Sequence, residues 1–433
     1  MKKVYKIAKS LVFGLPLLAV QFFNGQVYQV ASGGLYYPGG ISEGGVVALN
    51  EGPEVFIWDQ VNGLQAIGGI SNGYDFGGSA VISADGTRVS AGITNPANSM
   101  NEIAVYDVAA HTWTYHGGIN SEGSDGALSS SWGMSADGST VVGLGWVNSG
   151  TAHAVKWDAA NGMQDMGSTV QDRSSRANAI STDKNVIVGW QDQETGFRTG
   201  VRWVNGVQEF LKNSNDEFIG EAGGVSADGK VVIGSNGIFP YVWNETTEYQ
   251  EIVHPDSGPF FRGGAVGVSD DGKTVIGYFR SWPGAPMTGE GFIWTAEGGR
   301  KNLNEYVTGL GLDTHGITFG LPLAISGDGK KIAGIGMNSD FQTTTFMIDL
   351  SSALATQNVV TEKVSVYPNP VKDILNISGA GKVEHVEIYN LVGQKIKTAA
   401  GSSKIDVSSL SGGVYLIQIT VNGQKQSIKF IKE

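Results

Sequence analysis

The chain has 433 residues with 64 Gly, 12 Pro and no Cys, and carries a formal charge of −12. Its length suits two or three domains, or one repeat array with an appendage, and the absence of cysteine excludes disulfides, thiolate catalysis and Cys-ligated metal centres. Residues 26–363 hold 17 basic and 36 acidic side chains, a balance of −19; such a surface repels phosphate backbones and argues against nucleic acid as a partner, while favouring solubility outside the cell and leaving calcium as a conceivable ion.

The first residues read MKKVYKIAKSLVFGLPLLAVQFFNGQ, with Lys2, Lys3, Lys6 and Lys9 ahead of an apolar run from Leu11 to Val20. That run is about half the roughly 20 residues needed to span a bilayer, and Pro16 interrupts it, so residues 1–25 are expected to be a cleaved secretory signal. The mature protein is then exported.

From residue 26 to about 350 the chain repeats. Anchor serines stand at Ser42, Ser83, Ser135, Ser181, Ser226, Ser269 and Ser326, at a mean spacing of about 47 residues, a period typical of propeller blades. Asp follows two positions later at Asp85, Asp137, Asp183, Asp228, Asp271 and Asp328; the first copy has SEGG instead, and the fourth has Lys184 where Gly is the rule. An Asp that accepts backbone N–H groups just ahead of it, followed by a Gly free to take positive φ, makes a tight turn. These aspartates are read as structural.

Each turn feeds a strand such as TVVG, VIVG or VVIG that is apolar at consecutive positions, so both of its faces must be covered. The glycines eight residues past the anchor, among them Gly143, Gly189 and Gly234, suit an innermost strand where backbones crowd together. A second strand ends in a large side chain at Trp58, Tyr106, Trp157, Trp203, Trp243, Trp294 and Met347, which reads as core between blades. In two copies Asn62-Gly63 and Asn161-Gly162 signal a hairpin into a third strand. The last copy lacks that third strand, and VYQVASG at 27–33 resembles it, so this segment is expected to pair near Thr345–Asp349 and close the ring. The fold expected is an all-β seven-bladed β-propeller, with six blades as the alternative because the first copy is the weakest.

TAHAVKW at 151–157, with its ISADG-like loop, resembles the bacterial extracellular repeats named for a His-Ala-Phe motif. His153-Ala154 keeps the pair and Val155 stands in place of Phe. The resemblance implies an exported β-propeller-like array of unsettled activity.

A polar linker at 351–363 leads to VSVYPNPVKDILNIS, VEIYNLVGQKIK, IDVSSLSGGVYLIQIT and SIKFIKE, segments that alternate apolar and polar residues between Gly, Asn or Ser turns. That is the pattern of a small antiparallel β-sandwich. Residues 364–433 resemble the type A C-terminal sorting domain of the type IX secretion system of Bacteroidetes. The family pattern falls on Tyr367, Pro368, Asn369, Pro370, Gly393, Gly413 and Tyr415, with Leu375, Tyr389 and Leu410. By that resemblance the domain is recognised by the outer-membrane machinery and removed by a sortase-like protease, leaving the cargo secreted or on the cell surface.

Nothing in the repeats announces a nucleophile or base, and His111, His116 and His153 are scattered without metal-ligand spacing, so no cofactor is expected. Aromatics outside the blade pattern, namely Trp132, Trp146, Trp190, Tyr278 and Trp282, are the candidates for a ligand site at one propeller mouth, holding glycan or protein. A non-catalytic binding or scaffold module is the preferred reading. An extracellular carbohydrate-active hydrolase is the alternative.

Overall fold

The computed structural model describes residues 26–71, 78–124, 126–351, 353–354, 364–378, 383–390, 393–421 and 424–433. The expected signal, 1–25, and residues 355–363 of the linker lie outside them. The chain divides into two compact units, Met1–Leu354 and Ala355–Glu433. Leu350 and Ala353 belong to the core of the first unit, so that unit runs a few residues beyond the boundary expected at 350.

Seven four-stranded antiparallel sheets are described in the first unit. In each, the first strand comes before the anchor serine: Tyr37–Ile41, Val81–Ile82, Ser129–Met134, Ser175–Ile180, Ala222–Val225, Phe261–Val268 and Thr318–Ile325. This corrects the expectation from sequence. The TVVG-type strand is second in its sheet, with the pre-anchor strand between it and the centre. Neighbouring first strands touch in chain order, and Thr318–Ile325 touches Tyr37–Ile41, so the seven sheets form a closed cycle. Gln26–Ser32 supplies the outermost strand of the last sheet, pairing antiparallel with Thr343–Asp349 in a register that sets Val27 opposite Ile348.

The consecutive apolar pattern has a direct cause. Val141 packs toward the preceding sheet, against Ile103 and Val105, while Val142 packs toward the following one, against Ala177 and Trp203. Val275 and Ile276 divide their faces in the same way between two neighbours. The repeated large residue of the third strand is buried at Trp58, Tyr106, Trp203, Trp243, Trp294 and Met347. Trp157 is half-buried and stacks on His116 with ring centroids 3.6 Å apart.

Glycine at the eighth position past the anchor answers to backbone crowding within a sheet. A Cβ on Gly143 would lie 2.0 Å from the Ser130 carbonyl oxygen, and one on Gly189 would lie 1.9 Å from that of Arg176. Each sits across from the first strand where that strand shifts register.

A two-turn α-helix, Leu303–Gly309, interrupts the array; Asn302 caps it by accepting the Asn304 and Glu305 N–H groups, and Leu303 and Val307 bury its inner face. The second unit encloses one core, including Leu375, Ile388, Ile417 and Phe430, with a three-stranded and a four-stranded antiparallel sheet.

The glycine argument has a measurable consequence. G189A should destabilise the chain by about 1–3 kcal/mol in urea unfolding, because its Cβ has only backbone to displace. G309A, whose Cβ would meet nothing within 4 Å, should leave the midpoint unchanged or raise it slightly.

Candidate functional site

Each anchor loop is wired by its serine. The Ser hydroxyl donates to Asp Oδ1 two residues on, at 2.6–2.8 Å from Ser83 to Ser326, and the same Oγ accepts the N–H five residues on, at 2.9–3.0 Å. The Asp in turn accepts the N–H two residues ahead of it, as Asp85 does from Thr87 and Asp228 from Lys230. Gly86, Gly138, Gly229, Gly272 and Gly329 take positive φ, and Lys184 does so at φ 64 in the copy that lacks Gly. In the first copy, where Gly44 replaces Asp, Ser42 Oγ still accepts from the Val46 N–H. The loops also join sideways through backbone bonds, from Glu43 to Ala84 and Ala84 to Ala136, and from Thr182 to Ala227, Ala227 to Asp270 and Asp270 to Gly327. They therefore crown one end of the array.

The first strands build a site inside the ring. Three residues before the anchor, the register shifts at a β-bulge in six sheets, at Gly39, Trp132, Asn178, Gly223, Val266 and Leu323. A bulge re-aims a side chain. All six positions line an axial cavity of about 580 Å³, together with residues from each first strand and, at one end, the anchor-loop residues Ala84, Ala136, Thr182, Ala227, Asp270 and Gly327.

Toward the other end the cavity wall is polar. Arg176 lays its guanidinium 3.6 Å from the centroid of the Trp132 ring, donates Nε to Asn178 Oδ1 at 2.7 Å and donates Nη2 to Glu221 Oε1 at 2.7 Å. Asn178 Nδ2 donates to the same Glu221 oxygen at 3.0 Å and to the Ala222 carbonyl at 2.7 Å. Arg198 lies 3.7 Å from the second oxygen of Glu221 and 4.0 Å from the Trp190 ring centroid. Burial lowers the Arg176 guanidinium to about 10 despite the opposing pull of Glu221. Burial likewise raises the Tyr278 phenol, with Arg280 pulling it down and Glu221 adding to the rise.

Of the aromatics singled out from sequence, the structure brings Trp132 and Trp190 together around Arg176. Tyr278 and Trp282 flank Arg280, at 5.8 and 5.4 Å from its guanidinium. Trp146 is half-buried at the end of its strand. Trp190 is buried and its indole N–H has no acceptor among the described residues. The residues that sequence reasoning passed over are Arg176, Asn178 and Glu221. Their signal was positional, since they fall three and five residues before the anchors Ser181 and Ser226. Among the described residues no group of three or more His, Asp or Glu side chains is arranged to hold a metal ion.

In the second unit, Asn369 ties the YPNP segment to the last strand: its Oδ1 accepts the Ile431 N–H and its Nδ2 donates to the Lys429 carbonyl. Tyr367 is exposed, and the Tyr367–Pro368 and Asn369–Pro370 bonds are cis. Gly393 takes φ 80, and Gly413 opens the strand in which Tyr415 stacks on Phe430 and donates to the Ser411 carbonyl.

Residues 365–433 match the family described as secretion system C-terminal sorting domain. Over the tail the chain is 41% identical across 78 residues to beta-agarase D of Zobellia galactanivorans, a match covering 18% of this chain and 16% of the agarase. Among solved structures, TolB from Acinetobacter baumannii is similar at a TM-score of 0.38 and 14% identity, over 57% of this chain and 58% of that one. The extracellular domain of a one-component system from B. thetaiotaomicron is similar at 0.44 and 12% identity, over 93% of this chain and 52% of that one.

The molecule is thus an exported all-β protein with a separate C-terminal unit. That unit is a sorting domain, and it sends the chain through type IX secretion to the cell surface or the extracellular space.

The anchor carboxyls make stability depend on acid. Hydrogen bonds from Ser83 and Ser181 hold Asp85 and Asp183 below the usual carboxylate range, and Lys230 draws Asp228 down to about 2. Groups with depressed folded-state pKa values stabilise fully above the unfolded value, about 4, and lose that contribution as pH falls through the folded one. The urea midpoint should therefore fall as pH drops from about 5 to about 3, and a D85N/D183N/D228N variant should show a flatter curve over the same interval.

Proposed function

We propose that the first unit is a seven-bladed β-propeller acting as a non-catalytic binding module, presented outside the cell by the sorting domain, with its ligand at the Arg176 end of the axial cavity. The observation that carries this is the convergence of Trp132, Arg176, Asn178 and Glu221, from three successive sheets, on one stretch of cavity wall. A mostly apolar concave pocket with a few converging polar groups is the usual form of a ligand site, and about 580 Å³ lies within the range such sites occupy. The resemblance of the repeats to the His-Ala-Phe arrays agrees with this reading. Surface retention and sortase-like processing follow the same reading of the tail.

Hydrolysis fits the cavity less well. A glycosidase sets two carboxyl groups across one scissile bond, within about 5–9.5 Å of each other. The carboxylates on this wall are Glu221 and Asp270; Glu221 is tied to Arg176 and Asn178, and Asp270 sits among the anchor loops at the other end. The printed name of the agarase belongs to a protein that this chain matches over the tail alone.

Purified chain lacking residues 1–25, screened on glycan and protein arrays, should bind a discrete set of ligands, and W132A should weaken that binding about tenfold or more. Release of cleaved polymer with no saturable binding would overturn the proposal in favour of a hydrolase.

A further inference from the structure

Two observations sharpen the choice of ligand; both rest on the binding-module reading. The first is charge. On the cavity wall at this end stand one cation and one anion, Arg176 and Glu221, and the anion is already shared: one oxygen takes Arg176 and Asn178, and the other faces Arg198. Arg176 Nη1 has no hydrogen-bond acceptor among the described residues. A guanidinium offers a fork of donors suited to a carboxylate, so Nη1, beside a carboxylate that is already shared, is suited to a further anion. Beyond it the wall is aliphatic, with Met134, Ile180, Val225, Val266 and Leu323 among its residues.

The second is the rim. Because the anchor loops crown one end, the turns between second and third strands, and the connections from one sheet to the next, lie at the opposite end with Arg176. Phe197, Phe218, Phe260, Trp282 and Phe341 all occupy those segments and are 50–83% exposed. At the anchor end the exposed large apolar side chains among the described residues are Val61 and Val207. Exposed aromatics at the end of the array that also holds a largely desolvated arginine are the composition of a protein–protein interface.

We infer that this end of the ring docks a partner polypeptide and takes one of its glutamate side chains into the cavity, carboxylate on Arg176 and methylenes along the aliphatic wall. A sugar fits the same space less well, because hydroxyl groups set against Val225, Val266 and Leu323 would be desolvated with nothing to bond. Repulsion from the acidic surface is screened beyond about 10 Å at 0.1 M salt, so a glutamate side chain can reach Arg176 despite it.

The test is affinity electrophoresis of the chain lacking residues 1–25 in native gels containing poly-L-glutamate, polygalacturonate or neutral dextran. Migration should be retarded by poly-L-glutamate above the other two. E221Q, which removes the competing carboxylate and leaves Arg176 in place, should increase the retardation measured relative to a ligand-free gel while keeping the wild-type urea midpoint; R176M/E221Q should abolish it. Equal or stronger retardation by polygalacturonate would overturn the polypeptide in favour of an anionic glycan, with the binding module intact. Unchanged or reduced retardation in E221Q would overturn the site. Retardation in none of the three gels, alongside array binding of neutral ligands, would overturn the anionic class alone; absence from both assays would remove the binding reading itself.

Discussion

No sheet in the ring shelters itself. Each buries its two faces against two neighbours, and the apolar clusters fall in the seams: Ile57 with Val89 in one, Val105 with Val141 in the next, Val188 with Tyr241, Ile233 with Phe292, Ile293 with Phe346, and Met347 with Trp58 where the cycle closes. Because the hydrophobic gain is roughly proportional to apolar area removed from water, a lone sheet would leave both faces wet. Stability therefore belongs to the cycle. In the absence of disulfides, these seams supply the apolar contribution.

That constraint explains why so much of the architecture was legible. A strand covered on both faces must be apolar at consecutive positions, and a turn that aims it must recur at the same place, so the anchor loops and the TVVG-type strands stood out. The recurring Trp was visible because a seam needs one bulky filler per sheet. Closure by Gln26–Ser32 was legible from what the last repeat lacked. The tail was legible because each of its strands covers a single core and alternates accordingly.

The first strands were not legible, for the opposite reason. Sequences such as SSSWGM, SRANAI and AGGV are short, rich in small and polar residues, and follow neither period. They face a cavity on one side and crowd their neighbours on the other, and the bulge breaks their alternation. The candidate site sits on these strands. Trp132 was noticed for its ring, whereas Arg176, Asn178 and Glu221 were invisible until the bulge and the packing of one sheet on the next gave them a common direction. The serine of the anchor loop was similarly underestimated. Its hydroxyl gives to the Asp and takes from the incoming strand, so it fixes the turn from inside, and it is buried in every copy.

The pairing of Gln26–Ser32 with Thr343–Asp349 sets a condition on biogenesis. Thr344 Oγ1 donates to the Ala31 carbonyl across 313 residues of chain, a contact unavailable until nearly the whole first unit has been synthesised. Until then an early segment lacks its mate, and the growing stack keeps two raw flanks. Such non-local pairing is slow to form and leaves partly built intermediates sticky. A nascent polypeptide of this design cannot close its ring before that late pairing, the last stave locking the hoop.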